Sequence, residues 1–131
     1  MDRTSQTYFG SFQPLQIHSD ELVGKLQQRI QKDFAEVSTV EELLNDIPAS
    51  RRNLVRRFKH ATGNTPIEYL QKTRIEAAKK TLEYSPGSVV EAMVVSGYSD
   101  QKTFRQLFKK HVGMTPSAYR DKYSSKTVEV Q

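Results

Sequence analysis

From Ser19 onward, apolar residues return at spacings of three and four: Leu22, Val23, Leu26, Ile30 and Phe34. That period predicts an amphipathic helix. Ser19 is its expected N-cap, with Asp20 and Glu21 in the first turn, where acids suit the positive end of the helix dipole. Thr39-Val40-Glu41-Glu42 has the form of a capping box and predicts a second helix to about Asp46, after which Pro48 redirects the chain. Ser50 caps a third helix, whose inward face is Leu54, Val55 and Phe58 and which closes at Gly63. Thr65-Pro66-Ile67-Glu68 is the strongest start signal: Thr caps, Pro takes the first helical position, and Glu completes the box. The helix it opens is predicted to reach about Tyr84, burying Ile67, Leu70, Ile75, Ala78 and Leu82.

Ser85-Pro86-Gly87 breaks the pattern. Ser88 and Glu91 then form a capping box over Val89 to Ser96, and Gly97-Tyr98-Ser99 turns the chain. Asp100 caps a helix holding Phe104, Leu107 and Phe108 up to Gly113, and Thr115-Pro116 opens a last helix to about Lys122. No segment alternates like a strand. The expected fold is all-α with about seven helices: two helix-turn-helix subdomains, homeodomain-like, joined by a long linker helix. The expected divisions are an extended arm over 1–18, a first lobe over 19–65, the linker helix over 66–84, a second lobe over 85–123 and a disordered tail over 124–131.

The second half repeats the first at an offset of 50. Phe58-Lys59 falls on Phe108-Lys109, Gly63 on Gly113, Thr65-Pro66 on Thr115-Pro116, and Tyr69 on Tyr119. Leu54 matches Phe104, and the caps Ser50 and Asp100 coincide. Each unit is a short helix, a tight turn, and a capped amphipathic helix that stops at a Gly before a Thr-Pro start. That plan describes a helix-turn-helix. In it Phe58, Gly63, Pro66, Phe108, Gly113 and Pro116 are scaffold.

Composition narrows the picture. The 131 residues fit one domain, or two small lobes sharing a helix. Twenty Lys+Arg against 15 Asp+Glu give +5, a mild excess suited to a polyanion, and its position matters more than its size. Arg51, Arg52, Arg56, Arg57 and Lys59 crowd the third helix, which has no acid, whereas the helix before it holds Glu41, Glu42 and Asp46. Lys102, Arg105, Lys109 and Lys110 crowd the equivalent helix of the second copy. Phosphate neutralisation and major-groove entry both need that arrangement. Cysteine is absent, which excludes disulfides and thiolate metal sites. No apolar run approaches the ~18 residues of a membrane span and the N-terminus lacks a signal-peptide pattern, so the expectation is a soluble cytoplasmic protein.

These residues resemble the AraC/XylS-type family of bacterial transcription regulators. The run "SRRNLVRRFKHATGNTPIEYLQKTRIEAAKKTLE" is similar to the first half and linker helix of its DNA-binding domain, and "GYSDQKTFRQLFKKHVGMTPSAYR" to its C-terminal signature. With "HSDELVGKLQQRIQKDF" upstream, the resemblance covers about residues 18–123. It implies two recognition helices entering successive major grooves of double-stranded DNA. Pro66 to Tyr84 would join them over ~28 Å at ~1.5 Å per residue, commensurate with one ~34 Å turn of DNA. It implies RNA polymerase as a further partner, and a sensor domain that this chain does not carry. The wording is closest to members with an amidotransferase-like sensor, so the expectation is a C-terminal fragment of a longer regulator. Leu44 and Met93 stand where the family usually has a small Ala, and Pro48 where it usually has Gly.

On the first recognition helix Arg52 and Arg56, one turn apart, are the foremost candidate base readers, because Arg can grip guanine through O6 and N7. Val55 suits either a thymine methyl or half-buried packing. Arg51 and Arg57 are candidate phosphate ligands, and Asn53 suits either task. On the second, Gln101 and Gln106 can pair with adenine, while Lys102 and Arg105 read or position. Backbone N–H groups at the Thr39 and Ser88 helix starts are candidate phosphate contacts. His18, His60 and His111 lack ligand spacing, and neither a phosphate-binding glycine loop nor a nucleophile elbow is present. The chain is expected to be no enzyme and to need no cofactor or metal. The competing reading is a helical protein-interaction or RNA-binding module that uses the same basic helices.

Overall fold

The computed structural model describes residues 20–84 and 88–124. The expected arm over 1–18, the Ser85-Pro86-Gly87 break and the tail beyond Ser124 lie outside the described residues. The described chain holds seven helices: α1 (Glu21–Asp33), α2 (Val40–Leu44), α3 (Arg51–Thr62), α4 (Pro66–Tyr84), α5 (Val89–Ser96), α6 (Gln101–Val112) and α7 (Pro116–Tyr123). Two compact units divide inside α4, one ending at Thr73 and the other beginning at Arg74.

In the first unit α1 packs against α2 and α3. Val23, Leu26 and Ile30 of α1 meet Val40, Leu43, Ile47, Leu54 and Phe58 in the core, which Tyr69 and Leu70 of α4 complete. Phe58 meets Tyr69 edge to face, with ring centroids 5.2 Å apart. The Tyr69 hydroxyl, buried in this core, accepts from Gln27 Nε2 at 3.2 Å, and burial raises its pKa. Arg29 Nη1 donates to the Leu43 carbonyl at 2.8 Å, satisfying an end group that so short a helix leaves open.

Local details depart from the sequence expectations. The expected cap Ser19 lies outside the described residues, and Asp20 caps α1, its Oδ1 accepting from Val23 N–H at 3.2 Å. Thr39 stands at the α2 N-cap but its side chain caps nothing; Glu42 instead accepts from Ser38 N–H. Helix α2 stops at Leu44, short of Asp46. The second unit differs here, since α5 ends at Gly97 with φ 100°, its N–H and that of Tyr98 closing back on Val94 and Met93. At the offset of 50, Ile47 stands where Gly97 does, and a β-branched residue resists that left-handed conformation. Ile47 is buried instead. Leu43, not Leu44, is the fully buried leucine of α2, while Met93 is buried in α5.

The start of α4 forms as the motif predicts. Thr65 N–H donates to Glu68 Oε1 at 2.9 Å and Glu68 N–H to Thr65 Oγ1 at 3.2 Å. Ile67, expected in the buried stripe, is 48% exposed. The face this unit buries is Pro66, Tyr69, Leu70 and Thr73, the i, i+3, i+4, i+7 set on which Ile67 does not lie.

In the second unit the buried face of α4 is Ile75, Ala78, Lys79 and Leu82. It joins Ala92, Met93, Tyr98, Phe104, Phe108, Val112 and Tyr119 in one core. A file of rings runs through it: Tyr98 to Phe104 and Phe104 to Phe108 at 5.8 Å, Phe108 to Tyr119 at 5.6 Å, Tyr119 to Tyr123 at 4.6 Å. Lys79 is the one buried lysine among the described residues, at 5% exposure. Its ammonium pairs with Glu76 at 3.0 Å and lies 5.9 Å from the Tyr119 ring centre. The Tyr119 hydroxyl donates to Glu83. Ser124, expected in the tail, is buried, and its N–H closes α7 on Arg120.

Candidate nucleic-acid interface

Both basic helices are built the same way. Ser50 Oγ accepts from Asn53 N–H at 3.2 Å and Asp100 Oδ2 from Thr103 N–H at 3.1 Å, so each first turn is held by its cap. Asp100 also accepts from the Thr103 hydroxyl, the main reason its pKa is lowered. Both helices end at a left-handed glycine, Gly63 at φ 83° and Gly113 at φ 96°, whose N–H groups bond Lys59 and Lys109 carbonyls. The inward faces match too: Leu54, Phe58 and Thr62 in α3, Phe104, Phe108 and Val112 in α6.

That burial decides which side chains point out. In α3, Arg51, Arg52, Arg56, Lys59 and His60 are exposed, while Asn53, Val55 and Arg57 are half-buried. The Arg52 side chain has no hydrogen bond or ion pair among the described residues. Arg56 Nη2 donates to Asn53 Oδ1 at 2.6 Å. Arg51 pairs with Glu41 on α2. Val55 lines a concavity of about 500 Å³ together with Val40, Pro66, Ile67 and the polar rim Thr39, Glu41, Arg51 and Thr65.

Arg57, a candidate phosphate ligand, is also engaged within the protein. Its fork grips the Asp20 carboxylate, Nε to Oδ2 at 2.9 Å and Nη2 to Oδ1 at 2.8 Å. This bidentate bond is the largest cause of a lowered Asp20 pKa. It fastens the start of α1 to α3. Nothing local in the sequence announces it, because the partners lie 37 positions apart.

In α6, Gln101, Lys102, Arg105, Gln106, Lys109 and Lys110 are all exposed. No hydrogen bond or ion pair ties the side chains of Gln101, Lys102, Arg105 or Gln106 to another described residue. Ser88 is exposed at the start of α5, with its Oγ occupied by Glu91 N–H at 3.1 Å. Thr39 is exposed as well. Sequence reasoning missed the acidic partners Asp20 and Glu41, and it missed three exposed valines on α5, Val90, Val94 and Val95. Among the described residues no group of three His, Asp or Glu is placed to hold a metal ion, and no helix is long and apolar enough to cross a membrane.

A family model described as a helix-turn-helix domain matches residues 43–122. The chain is 34% identical over 100 residues to the bifunctional transcriptional activator/DNA repair enzyme AdaA of Bacillus subtilis (strain 168), covering 76% of this chain and 47% of that protein. It is also 34% identical over 82 residues to the probable transcription factor PqrA of Proteus vulgaris, covering 63% and 67%. Among solved structures it is similar to the DNA-binding domain of AdpA, a global transcriptional factor, in complex with a target DNA. That likeness has a TM-score of 0.75 at 28% identity and covers 84% of this chain and 99% of the other. The chain spans about half the length of the Bacillus relative. Fold and sequence together define a helix-turn-helix domain of the transcription-regulator class. Within that class the chain belongs to the AraC-type family.

Proposed function

We propose that this chain binds double-stranded DNA sequence-specifically, as the DNA-binding part of a bacterial transcription regulator, with α3 and α6 in successive major grooves. The observation that carries this reading is the duplicated basic helix. Two helices with a side-chain cap, buried residues and a glycine stop at matching positions each present unburied cations and amides on the opposite side. A helix with that polarity, following a short helix and a tight turn, meets base edges with its N-terminal half and phosphates with its flanks.

Arg52 and Arg56 are the proposed readers on α3, with Val55 at the margin; Gln101, Lys102, Arg105 and Gln106 are those on α6. Arg51 is the proposed phosphate ligand on α3, with the α5 start at Ser88 and the Thr39 turn as backbone contacts. The domain acts by binding, without cofactor or chemistry of its own. The repair activity in the name of the Bacillus relative is that protein's, and this chain matches 47% of its length. The family points to RNA polymerase as a second partner, to a sensor domain elsewhere in a longer regulator and to the cytoplasm.

The test is binding to a site with two half-elements one helical turn apart. Arg52→Ala and Arg56→Ala should each lower base discrimination by on the order of 1–3 kcal/mol while the domain stays folded. Equal binding to unrelated duplexes and single strands would transfer the basic helices to the RNA- or protein-binding reading.

A further inference from the structure

Arg56 is exposed on the face of α3 that its buried residues leave free, yet it is not a loose side chain. Its Nη2 donates to Asn53 Oδ1, one turn back, at 2.6 Å. Asn53 is anchored in turn, since its backbone N–H is bound by the Ser50 cap at 3.2 Å and its side chain is half-buried. The chain of contacts therefore runs from the helix cap through Asn53 to the guanidinium.

A long cationic side chain loses rotamer freedom when it docks on a base, and that loss opposes binding. A partner that holds the guanidinium beforehand removes part of the loss. The contact uses one of the five guanidinium N–H groups. Those of Nη1 and the second of Nη2 are left for the two acceptors that guanine shows in the major groove. With Oδ1 engaged, Asn53 has its amide N–H groups to offer, so its acceptor faces Arg56 and not the groove. The second copy lacks this device. At the offset of 50 the equivalent pair is Thr103 and Gln106, and the Thr103 hydroxyl turns back to Asp100.

We infer that Asn53 is a positioning residue for Arg56, setting specificity at one base pair. This rests on the reading of Arg56 as a base reader.

The experiment uses the whole chain and a DNA site selected from a random pool. Affinities are measured for that site and for single-base-pair variants, with the wild type, Arg56→Ala, Asn53→Ala, Asn53→Asp and the Asn53→Ala/Arg56→Ala pair, each checked for helical content. Arg56→Ala identifies the base pair that Arg56 reads. At that pair Asn53→Ala should lower discrimination about three- to tenfold and leave the other positions unchanged. In the Arg56→Ala background it should have no further effect there. Asn53→Asp keeps the acceptor and should keep the preference, with weaker binding to all sequences. A loss of affinity that is uniform over all sequences in Asn53→Ala, no change at all, or an equal loss of preference in Asn53→Asp overturns the positioning role. Preference unchanged in Arg56→Ala instead overturns the base-reading assignment beneath it.

Discussion

Arg57 and Asp20 form a bidentate ion pair that ties the third helix to the cap of the first, with the carboxylate serving two masters at once. Asp20 Oδ1 accepts both from Arg57 at 2.8 Å and from the capped Val23 N–H at 3.2 Å. Losing the aspartate therefore removes a cap and a clamp together. Asp20→Ala should destabilise the first unit by about 1–2 kcal/mol, the upper range for an N-cap. Arg57→Ala should cost less, and the double variant should cost less than the sum. Urea unfolding of all three checks this, and strict additivity would show the pair to be uncoupled. Arg57→Ala should also leave base preference intact.

The same pair makes a pH prediction. Arg57 holds the Asp20 pKa below 3.8 in the folded state, so the unfolded chain takes up the proton first as pH falls. The stabilisation is complete well above pH 3.8 and is lost as pH drops through the lower folded pKa. In Arg57→Ala the acid-side loss of stability should be shallower below pH 4. Identical acid profiles in the two proteins would count against the clamp.

Gly63 and Gly113 should each resist replacement for a backbone reason. A Cβ on Gly63 would meet nothing within 4 Å, so only its φ of 83° opposes a side chain. Gly63→Ala should then cost about 1–2 kcal/mol, and Gly63→Asn clearly less, because Asn tolerates the left-handed region. Thermal unfolding measures both. Equal stability of the alanine variant and the wild type would refute the strain argument.

The two Thr-Pro helix starts are not equivalent. Thr65 is answered by Glu68, whereas Thr115 faces Ala118 and caps only the Ala118 N–H, at 3.2 Å. Glu68 has a lowered pKa, chiefly because its carboxylate accepts from Thr65 N–H, so its contribution is present above pH 4.5 and fades as pH falls. Ala118→Glu should complete the second box and stabilise it by a few tenths to about 1 kcal/mol at pH 7. That gain should vanish when the measurement is repeated well below the carboxylate range.

The proposed phosphate role of Arg51 sets Glu41 in competition with phosphate. The Glu41 and Arg51 side chains are 58% and 63% exposed, so the pair is weak and can open on DNA. Glu41→Gln should raise affinity for all duplexes alike. Arg51→Ala should lower it alike and reduce the salt slope by about 1. A sequence-dependent effect of either would move Arg51 from phosphate to base.

What the sequence disclosed follows the range of the interactions. The capped starts after Ser50, Thr65, Asp100 and Thr115 were readable because a cap and its N–H lie three residues apart. The faces holding Phe58 and Phe108 were readable because one period governs a whole helix. The pair of Arg57 with Asp20 was not readable because its partners lie 37 positions apart. The shortness of α2 fits two residues together, Ile47 in place of a left-handed glycine and Pro48 after it, whose ring opposes a helical carbonyl at Leu44. Ile67 was misplaced because α4 buries one face in each unit, and a single stripe drawn along 66–84 fits neither wholly. The outward residues of α3 and α6 could be named from the inward ones, but their use is a matter of DNA contacts, which no helical period contains.

The central claim is that α3 and α6 read sequence while the repeated Phe, Gly and Thr-Pro residues are scaffold. Selection of bound duplexes from a random pool tests it directly, with the wild type, Arg52→Ala, Arg56→Ala and Gln106→Ala run in parallel. The account predicts two dissimilar half-elements about one helical turn apart. The arginine variants should relax the half read by α3, and Gln106→Ala only the half read by α6. A pool that shows no sequence enrichment with the folded wild type, or arginine variants that select the same bases as the wild type, would contradict it.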